Sequence, residues 1–249
     1  MYSIFRKELN LFFSSVIGYV VIILFLMLNG LFLWVIPNNN NILEFGYASL
    51  DKYFEMAPWV LLFLIPAVTM RSFADEFRGG TIEMLFTKPV TTFQIVCGKY
   101  LASLVLVIAA ILPTLLYIVT VSKLATQGSV LDYGGIAGSY IGLTMLAASF
   151  TAIGVFASSL TSNQVVSFLI SLFLCYLLYM GFDFIANMKS VEGTLDYLLS
   201  LIGMAFHYDA LSKGVIDSRD MVYFLTIIFF FIIMTKTALE SYRWEKTKQ

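Results

Sequence analysis

The chain has 249 residues, of which 59% are hydrophobic and 12% are charged, and its mean hydropathy is +0.87. A soluble domain of this length needs more polar surface, so the composition predicts an integral membrane protein. The net charge of −1 provides no basic field that would attract nucleic acid, and we expect no nucleic-acid partner.

Two further features of the composition concern processing and redox chemistry. The two cysteines, Cys97 and Cys175, lie far apart in the sequence and indicate neither a disulfide framework nor a metal cluster. The N-terminal segment lacks a short apolar core followed by a small-residue cleavage site. We therefore expect no removed signal peptide.

The first fifteen residues have the periodicity of an amphipathic helix. Tyr2, Phe5 and Phe12 fall on one side of it, and Arg6 and Lys7 fall on the other. A basic face opposite an aromatic face is typical of a helix that lies along the membrane interface. We expect that position, with a cytoplasmic helix packed on the protein as the alternative.

Six apolar stretches follow, each of which can cross a hydrocarbon layer of about 30 Å, in some cases with flanking residues. The predicted spans cover residues 16–36, 53–73, 100–121, 135–160, 165–185 and 220–238. Pro66 predicts a kink in the second span, because proline removes a backbone hydrogen bond. The fourth span has small residues four apart, Gly138 with Gly142 and Ala148 with Ala152. This spacing predicts close helix packing, within the chain rather than between two copies.

A charged region, residues 71–99, lies between the second and third spans. It contains seven ionisable residues: Arg71, Asp75, Glu76, Arg78, Glu83, Lys88 and Lys99. Placing one Arg, Lys or Asp at the centre of a bilayer costs about 2.5 to 3.5 kcal/mol. We therefore predict that the whole charged region lies in water.

The first half of this region predicts two helices separated by a break. Gly79 and Gly80 should end the helix that continues from the second span. Thr81 is then predicted to cap a new short helix, which has Glu83 in its first turn. The result would be a short water-exposed helix held between two spans.

The second half predicts the end of that short helix and the start of the third span. Pro89 disfavours a helical conformation for Lys88, so the short helix should end there. Thr91 and Gln94 have the T-x-x-Q spacing of a capping box. A rigid arrangement of this kind is suited to transmitting force from a soluble partner.

The second long polar region, residues 186–219, lies between the fifth and sixth spans. Residues 195–206 within it are apolar, but twelve helical residues rise only about 18 Å and cannot span a bilayer. We expect a helix that dips into the membrane or covers the outer end of the bundle. His207 has no second His or Cys nearby to help bind zinc, so we predict a structural role for it.

The distribution of basic residues predicts the orientation. Six spans place both termini and the charged region on one side, which holds ten basic residues: Arg6, Lys7, Arg71, Arg78, Lys88, Lys99, Lys236, Arg243, Lys246 and Lys248. The other side holds five: Lys52, Lys123, Lys189, Lys213 and Arg219. This excess predicts that the charged region and both termini are cytoplasmic.

Residues 76–99 resemble the cytoplasmic coupling segment of ABC-2 type transporter permeases. The resemblance rests on Gly80-Thr81, Glu83, Leu85, Pro89 and Gly98-Lys99, and residues 206–220 also look like that family. It implies that this segment docks on a separate ATPase subunit. The implied docking residues are Gly80, Thr81, Glu83, Met84, Phe86, Lys88 and Pro89.

The resemblance covers the whole chain and implies its organisation. The expected fold is an all-α polytopic membrane domain over residues 1–249, with an amphipathic elbow helix (1–15), six transmembrane helices, a coupling segment (74–99) and an external re-entrant helix region (186–219). Two permease chains would pair, as a homodimer or a heterodimer, with the second and fifth spans lining the path. The chain looks most like the gliding-motility-associated permeases of Bacteroidetes. That likeness implies the bacterial inner membrane and a second membrane subunit with a large external domain.

Sequence motifs of catalysis are absent. The phosphate-binding pattern G-x-x-x-x-G-K-[ST] fails, because Tyr100 follows Gly98-Lys99 and Phe93 stands where the first glycine should be. The zinc-protease pattern H-E-x-x-H and the nucleophile pattern G-x-S-x-G do not occur. We therefore expect no enzyme activity and no cofactor bound by this chain, with ATP bound by a partner subunit.

Three functions fit these patterns. The first is the membrane permease subunit of an ATP-driven transporter. The second is a membrane scaffold or anchor whose charged region docks a cytoplasmic protein without transport. The third, an ion-coupled carrier, is disfavoured because the spans lack ionisable residues at mid-depth.

Overall fold

The computed structural model describes residues 1–37, 41–45, 49–87, 89–125, 131–186 and 200–247. Every regular element within these ranges is a helix, and six of the helices are long and apolar enough to cross a membrane. The predicted all-α polytopic fold is confirmed.

The N-terminal amphipathic helix, called the elbow helix below, is Tyr2–Ser14. The six spans are, in order, Val16–Gly30 with the π-helical end Leu31–Val35; Asp51–Thr69; Thr92–Ile111 with the 3₁₀ segment Leu112–Leu115 and Leu116–Leu124; Tyr133–Ser159; Gln164–Tyr176 with the π-helical Leu177–Gly181 and Phe182–Ala186; and Ser218–Thr247. The shorter helices are Ile42–Phe45, the linker helix Ala74–Arg78, the coupling helix Thr81–Phe86 and the outer helix Met204–Ser212.

The second and fourth spans form the centre of the bundle. In their most apolar windows 72% and 78% of the residues are buried, compared with 22% to 33% in the other four spans. The fourth span packs against the second, third, fifth and sixth spans and against the outer helix. The peripheral spans consequently present broad apolar faces, as helices in contact with lipid or with another chain do.

Prolines affect the spans unequally. The second span remains one α-helix from Asp51 to Thr69 through both Pro58 and Pro66, so the kink predicted at Pro66 leaves no break in the helix. In the third span, Pro113 lies in the 3₁₀ segment that interrupts the α-helix. Neighbouring helices satisfy the backbone groups that a proline leaves free, which is why such residues are tolerated in spans.

The small residues of the fourth span bring the outer helix close. A Cβ atom on Gly138 would lie 2.6 Å from the carbonyl oxygen of Gly214, and one on Gly142 would lie 2.5 Å from Cβ of Leu211. Both distances are shorter than real Cβ contacts. The prediction that these glycines serve packing within the chain is confirmed.

The outer helix begins later than the sequence predicted. Residues 195–199 of the predicted helix lie outside the described residues, and Leu201 and Ile202 form a turn. Gly203 has an extended backbone (φ −72°, ψ 131°), and the helix runs from Met204 to Ser212. The prediction that a helix ends at Phe206 is therefore wrong, because the apolar run contains this turn and does not form a single helix.

Two side chains attach the outer helix to the spans. The Tyr208 hydroxyl donates to the carbonyl oxygen of Phe54 in the second span at 2.8 Å. In His207, Nδ1 lies 2.7 Å from Oδ1 of Asp220, and Nε2 lies 2.9 Å from the carbonyl oxygen of Leu201. The imidazole ring also stacks on Tyr223 with 3.9 Å between ring centroids. The structural role predicted for His207 is confirmed.

Replacement of Gly142 by alanine should destabilise the protein. The new Cβ would collide with Leu211, and relieving an overpacked helix contact costs about 1 to 3 kcal/mol. We expect a lower midpoint of thermal unfolding in detergent. Gly134→Ala is the matched control, because its Cβ would come no closer than 3.4 Å to Oδ1 of Asp132. Equal midpoints for the two variants would contradict the close packing of the outer helix.

Candidate functional site

The backbone turns at Gly79 and Gly80, between the linker helix and the coupling helix. The linker helix ends at Gly79, and Gly80 has a φ of +66° in the left-handed region. A residue with a side chain is strained there by about 1 to 2 kcal/mol, whereas glycine is not. The break predicted at this pair is confirmed, and Gly80 orients the coupling helix.

Thr81 does not cap the coupling helix as predicted. Gly80 occupies the N-cap position and Thr81 is the first residue of the helix. The Thr81 hydroxyl donates back to the carbonyl oxygen of Glu76 at 3.5 Å, a long hydrogen bond. The prediction is wrong because the left-handed residue takes the cap position and turns the threonine side chain towards the linker helix.

The coupling helix has one buried and one exposed face. Ile82 is 1% exposed and Leu85 is 7% exposed, so these two side chains hold the helix on the bundle. Glu83 is exposed, and Met84 is 68% exposed. The helix therefore packs on the bundle through one face and leaves the Glu83 and Met84 side chains accessible on the other.

The other predicted docking residues lie around this exposed face. Gly80, Thr81 and Pro89 are exposed, and Phe86 is half-buried with Cζ of Arg243 5.9 Å from its ring centroid. Lys88 lies outside the described residues. The structure thus brings the described candidates together in one segment, and the assignment of docking to them stays a prediction.

The capping box predicted at the start of the third span is confirmed. The backbone N–H of Gln94 donates to Oγ1 of Thr91 at 3.2 Å, and the N–H of Thr91 donates to Oε1 of Gln94 at 3.3 Å. The helix consequently begins at Thr92, two turns before the predicted start of the span at residue 100. These extra turns place Lys99 inside the folded protein.

Lys99 is the centre of a buried ionic cluster. Its side chain is 2% exposed, and its ammonium group lies 2.9 Å from Oε1 of Glu8 and 3.0 Å from Oε1 of Glu76. It also donates to the carbonyl oxygen of Ser72 at 2.6 Å and lies 5.1 Å from the ring centroid of Phe73. The elbow helix, the end of the second span, the linker helix and the third span therefore meet at one side chain.

The prediction that all seven ionisable residues lie in water is wrong for Lys99. The prediction considered only the cost of placing these charges in lipid, whereas Lys99 is buried within the protein, where an unpaired ammonium group would cost several kcal/mol. Two carboxylates and a carbonyl oxygen supply acceptors for its three N–H donors, so the buried charge is paired.

Gly98 and Lys99 act together at this junction. A Cβ on Gly98 would lie 3.1 Å from Cγ2 of Ile4, so the glycine lets the elbow helix approach the third span. That approach brings Glu8 within reach of Lys99. The elbow helix packs mainly on the third span and leaves Tyr2 exposed. This contact fits the packed alternative of the sequence analysis, and the exposed aromatic face remains free for the membrane interface.

A further contact joins the linker helix to the end of the fourth span. Oγ of Ser158 accepts from the backbone N–H groups of Phe73 and Ala74, at 2.9 and 3.1 Å, and donates to the carbonyl oxygen of Met70 at 3.1 Å. Gln164, at the start of the fifth span, donates to the carboxylate of Asp75. The Ser158 bonds satisfy backbone groups between the end of the second span and the start of the linker helix.

The sixth span also reaches this site. Its helix continues to Thr247, so the polar tail predicted from residue 240 is helical as far as residue 247, and its location in water stays a prediction. The Tyr242 ring packs edge-on against Phe77 of the linker helix, with 4.9 Å between centroids. Arg243 lies over the ring of Phe86 in the coupling helix, so the last turns of the sixth helix pack on both short helices.

Sequence reasoning missed Glu8 and Ser158. The available signal for Glu8 was a lone acidic residue in a basic helix, one turn from Ile4 and thus on the same face. A signal for Ser158 is weaker, because serines at span ends are common and its three partners lie more than eighty residues away. Long-range partners of this kind do not show in local spacing.

The fold defines a six-span helical membrane protein whose charged connection between the second and third spans is folded back onto the bundle. A family model described as "ABC-2 family transporter protein" matches residues 3–247. The chain belongs to this family, and it is accordingly a membrane permease of the ABC transporter class. No curated protein sequence matches the chain significantly.

Replacement of Lys99 by alanine should destabilise the protein strongly. It leaves Glu8 and Glu76 close together and largely buried without their shared cation, and breaking a buried pair in this way costs about 3 to 5 kcal/mol. The free energy of unfolding in detergent micelles measures the loss.

Two comparisons make the Lys99 result specific. Lys236→Ala breaks an exposed pair with Glu240 and should cost less than about 1 kcal/mol. The triple change Lys99→Met, Glu8→Gln and Glu76→Gln leaves no unpaired charge and should recover part of the loss. If Lys99→Ala and Lys236→Ala cost the same, Lys99 does not hold the junction.

Proposed function

We propose that this chain is the membrane subunit of a transporter that is driven by ATP hydrolysed on a separate subunit, and that the coupling helix docks on that subunit. The observation that carries this proposal is the exposed Met84 face on a helix held by buried Ile82 and Leu85. A docking element must transmit displacement, which requires a rigid seat behind an accessible surface. The family match supports the same role.

The junction behind the coupling helix supports transmission of force. Lys99, Ser158 and Tyr242 join the linker helix and the residues before it to the elbow helix and to the third, fourth and sixth spans. Arg243 of the sixth span lies against Phe86 of the coupling helix. Closure of two ATPase subunits would displace the coupling helix, and packed helices move as units rather than deforming continuously. The displacement would then alter the relative positions of the spans.

The chain is proposed to sit in a bacterial inner membrane with both termini and the coupling helix in the cytoplasm. The excess of basic residues on that side supports this orientation. Exposed apolar side chains on the peripheral spans support contact with membrane lipid.

A second permease chain is proposed to complete the path. The fifth span carries an exposed stripe spaced by four, four and three residues: Val165, Leu169, Phe173 and Tyr176. This spacing keeps the four side chains on one helix face, away from the second and fourth spans that the fifth packs against. The resemblance to gliding-motility-associated permeases favours a heterodimer with a second membrane subunit and a role in gliding.

Replacement of Met84 by glutamate should detach the ATPase subunit. A charge in the middle of an apolar contact costs at least about 2 kcal/mol, or roughly a thirtyfold loss of affinity. We expect the ATPase to be lost when the tagged permease is purified from its own host, with the thermal midpoint of the permease unchanged. Glu83→Arg should add to the effect. Phe86 is a poorer target, because its half-buried ring also contacts Arg243.

The matched control is Leu43→Glu, a similarly exposed apolar residue (58%) on the short helix Ile42–Phe45 beyond the first span. Retention of the ATPase by Met84→Glu would contradict the docking assignment.

Three further measurements test the other parts of the proposal. Subunit masses of the purified complex decide between homodimer and heterodimer. A scaffold would keep its cellular function with a hydrolysis-deficient ATPase, whereas a transporter subunit would lose it. Unchanged gliding after deletion of the gene would contradict the motility role.

Labelling of single cysteines should establish the orientation. Cys97 is half-buried, so Thr87→Cys, at an exposed position after the coupling helix, is a better site in a Cys97→Ser, Cys175→Ser background. A membrane-impermeant maleimide added to intact cells should leave Thr87→Cys unlabelled and should label Tyr133→Cys at the opposite end of the bundle. The reverse pattern would contradict the proposed orientation.

A further inference from the structure

A cavity of about 370 Å³ lies beside the Lys99 cluster, between the elbow helix and the linker helix. Its polar wall includes Lys7, Arg71 and Glu76, and its apolar wall includes Leu11, Phe12 and Val68. A cavity with one charged wall and one apolar wall fits an amphiphile, with a polar head group on one side and a chain on the other.

Two buried side-chain atoms of residues that line the cavity lack partners among the described residues. They are the Nε donor of Arg71 and the Oε2 acceptor of Glu76. Buried groups of this kind are normally satisfied, and leaving each unpaired costs free energy. Nε of Arg71 has no hydrogen-bond partner in the described ranges, and Glu76 uses only Oε1 towards Lys99 and Lys7. The cavity therefore lacks both an acceptor for Arg71 and a donor for Glu76.

The charges of the cavity exclude a simple anion site. Glu8 and Glu76 share Lys99, and Lys7 lies 3.9 Å from Oε1 of Glu76, so carboxylates and cations alternate along the wall. An anion alone would satisfy Arg71 and leave Glu76 unpaired. A cation alone would do the reverse. A ligand with both charges on one head group satisfies both atoms.

We propose that this cavity binds a phospholipid head group that carries both a phosphate and a primary ammonium group. The phosphate accepts from the guanidinium of Arg71, a geometry that arginine favours, with the flexible Lys7 as a second donor. The ammonium group donates to Oε2 of Glu76. An acyl chain then follows Leu11, Phe12 and Val68 towards the bilayer.

The location of the cavity makes it accessible to a lipid and relevant to the coupling helix. The elbow helix that forms one wall carries exposed aromatic side chains, and Val68 belongs to the second span. Thr81, the first residue of the coupling helix, also lines the cavity. A bound lipid therefore contacts the element that is proposed to dock on the ATPase, although its binding does not depend on that proposal.

The test compares two lipids with identical acyl chains and net charge. Dioleoyl phosphatidylethanolamine has a primary ammonium that donates hydrogen bonds, and dioleoyl phosphatidylcholine has a quaternary one that cannot. Native mass spectrometry of the full chain in detergent should show at least about tenfold tighter binding of the ethanolamine lipid, the value of one charge-assisted hydrogen bond. Equal binding of the two lipids would overturn the proposal.

Two substitutions assign the head group to its partners. Arg71→Gln should weaken binding of both lipids about tenfold, and Glu76→Gln should remove the preference between them while phosphate binding persists. Glu76→Gln keeps an acceptor for Lys99. Arg78 and Glu240 are exposed and lie outside the cavity. Arg78→Gln and Glu240→Gln should therefore change neither the affinity for the lipids nor the preference between them. Unchanged lipid binding by Arg71→Gln would overturn the assignment.

Two controls test whether the variants fold and whether the acyl chains contribute to binding. Thermal midpoints identify any variant that fails to fold, and Arg71→Lys then replaces Arg71→Gln, with a smaller loss expected because the charge remains. Soluble O-phosphoethanolamine provides the head group without acyl chains and should bind at least tenfold more weakly than the lipid. If it binds as tightly, the ligand is a soluble phosphate compound and the lipid proposal fails.

Discussion

The buried ammonium group of Lys99 fixes the geometry on which the rest of this protein depends. Its partners come from three different places in the sequence: Glu8 in the elbow helix, Ser72 after the second span and Glu76 in the linker helix. Removing so many charged groups from water is favourable only when donors and acceptors match in number and direction. The cluster therefore forms only when all of these elements are correctly placed, which gives the junction a single defined arrangement.

This junction explains why a polar connection between two spans can be rigid. A loop of twenty or so residues is ordinarily mobile, because few buried contacts restrain it. Here the Ser158 hydroxyl, the Thr91 capping box and two aromatic contacts from the sixth span hold successive parts of the connection. The coupling helix is thereby held against the bundle, with Met84 exposed and Ile82 buried.

The sequence predicted those features that depend on local chemistry. Hydropathy predicted the six spans, and Gly79 with Gly80 predicted the break between the linker and coupling helices. The spacing of Thr91 and Gln94 predicted the capping box. The sequence did not predict the burial of Lys99, because a lysine in a charged stretch is expected in water unless its distant carboxylate partners are known. The sequence also gave no sign that the helix continues beyond residue 238, where Tyr242 contacts Phe77 and Arg243 contacts Phe86. Small residues in the fourth span predicted close packing, but only the fold identified the outer helix as the neighbour.

The helix Ser218–Thr247 has 30 residues, so it is a rod about 45 Å long. Near one end Asp220 holds His207 of the outer helix, and near the other Tyr242 lies against Phe77. A tilt of about 5° around one end of such a rod moves the opposite end by about 4 Å. A small rotation at one end of this helix would thus displace its other end by several ångströms, without any relay through intermediate side chains.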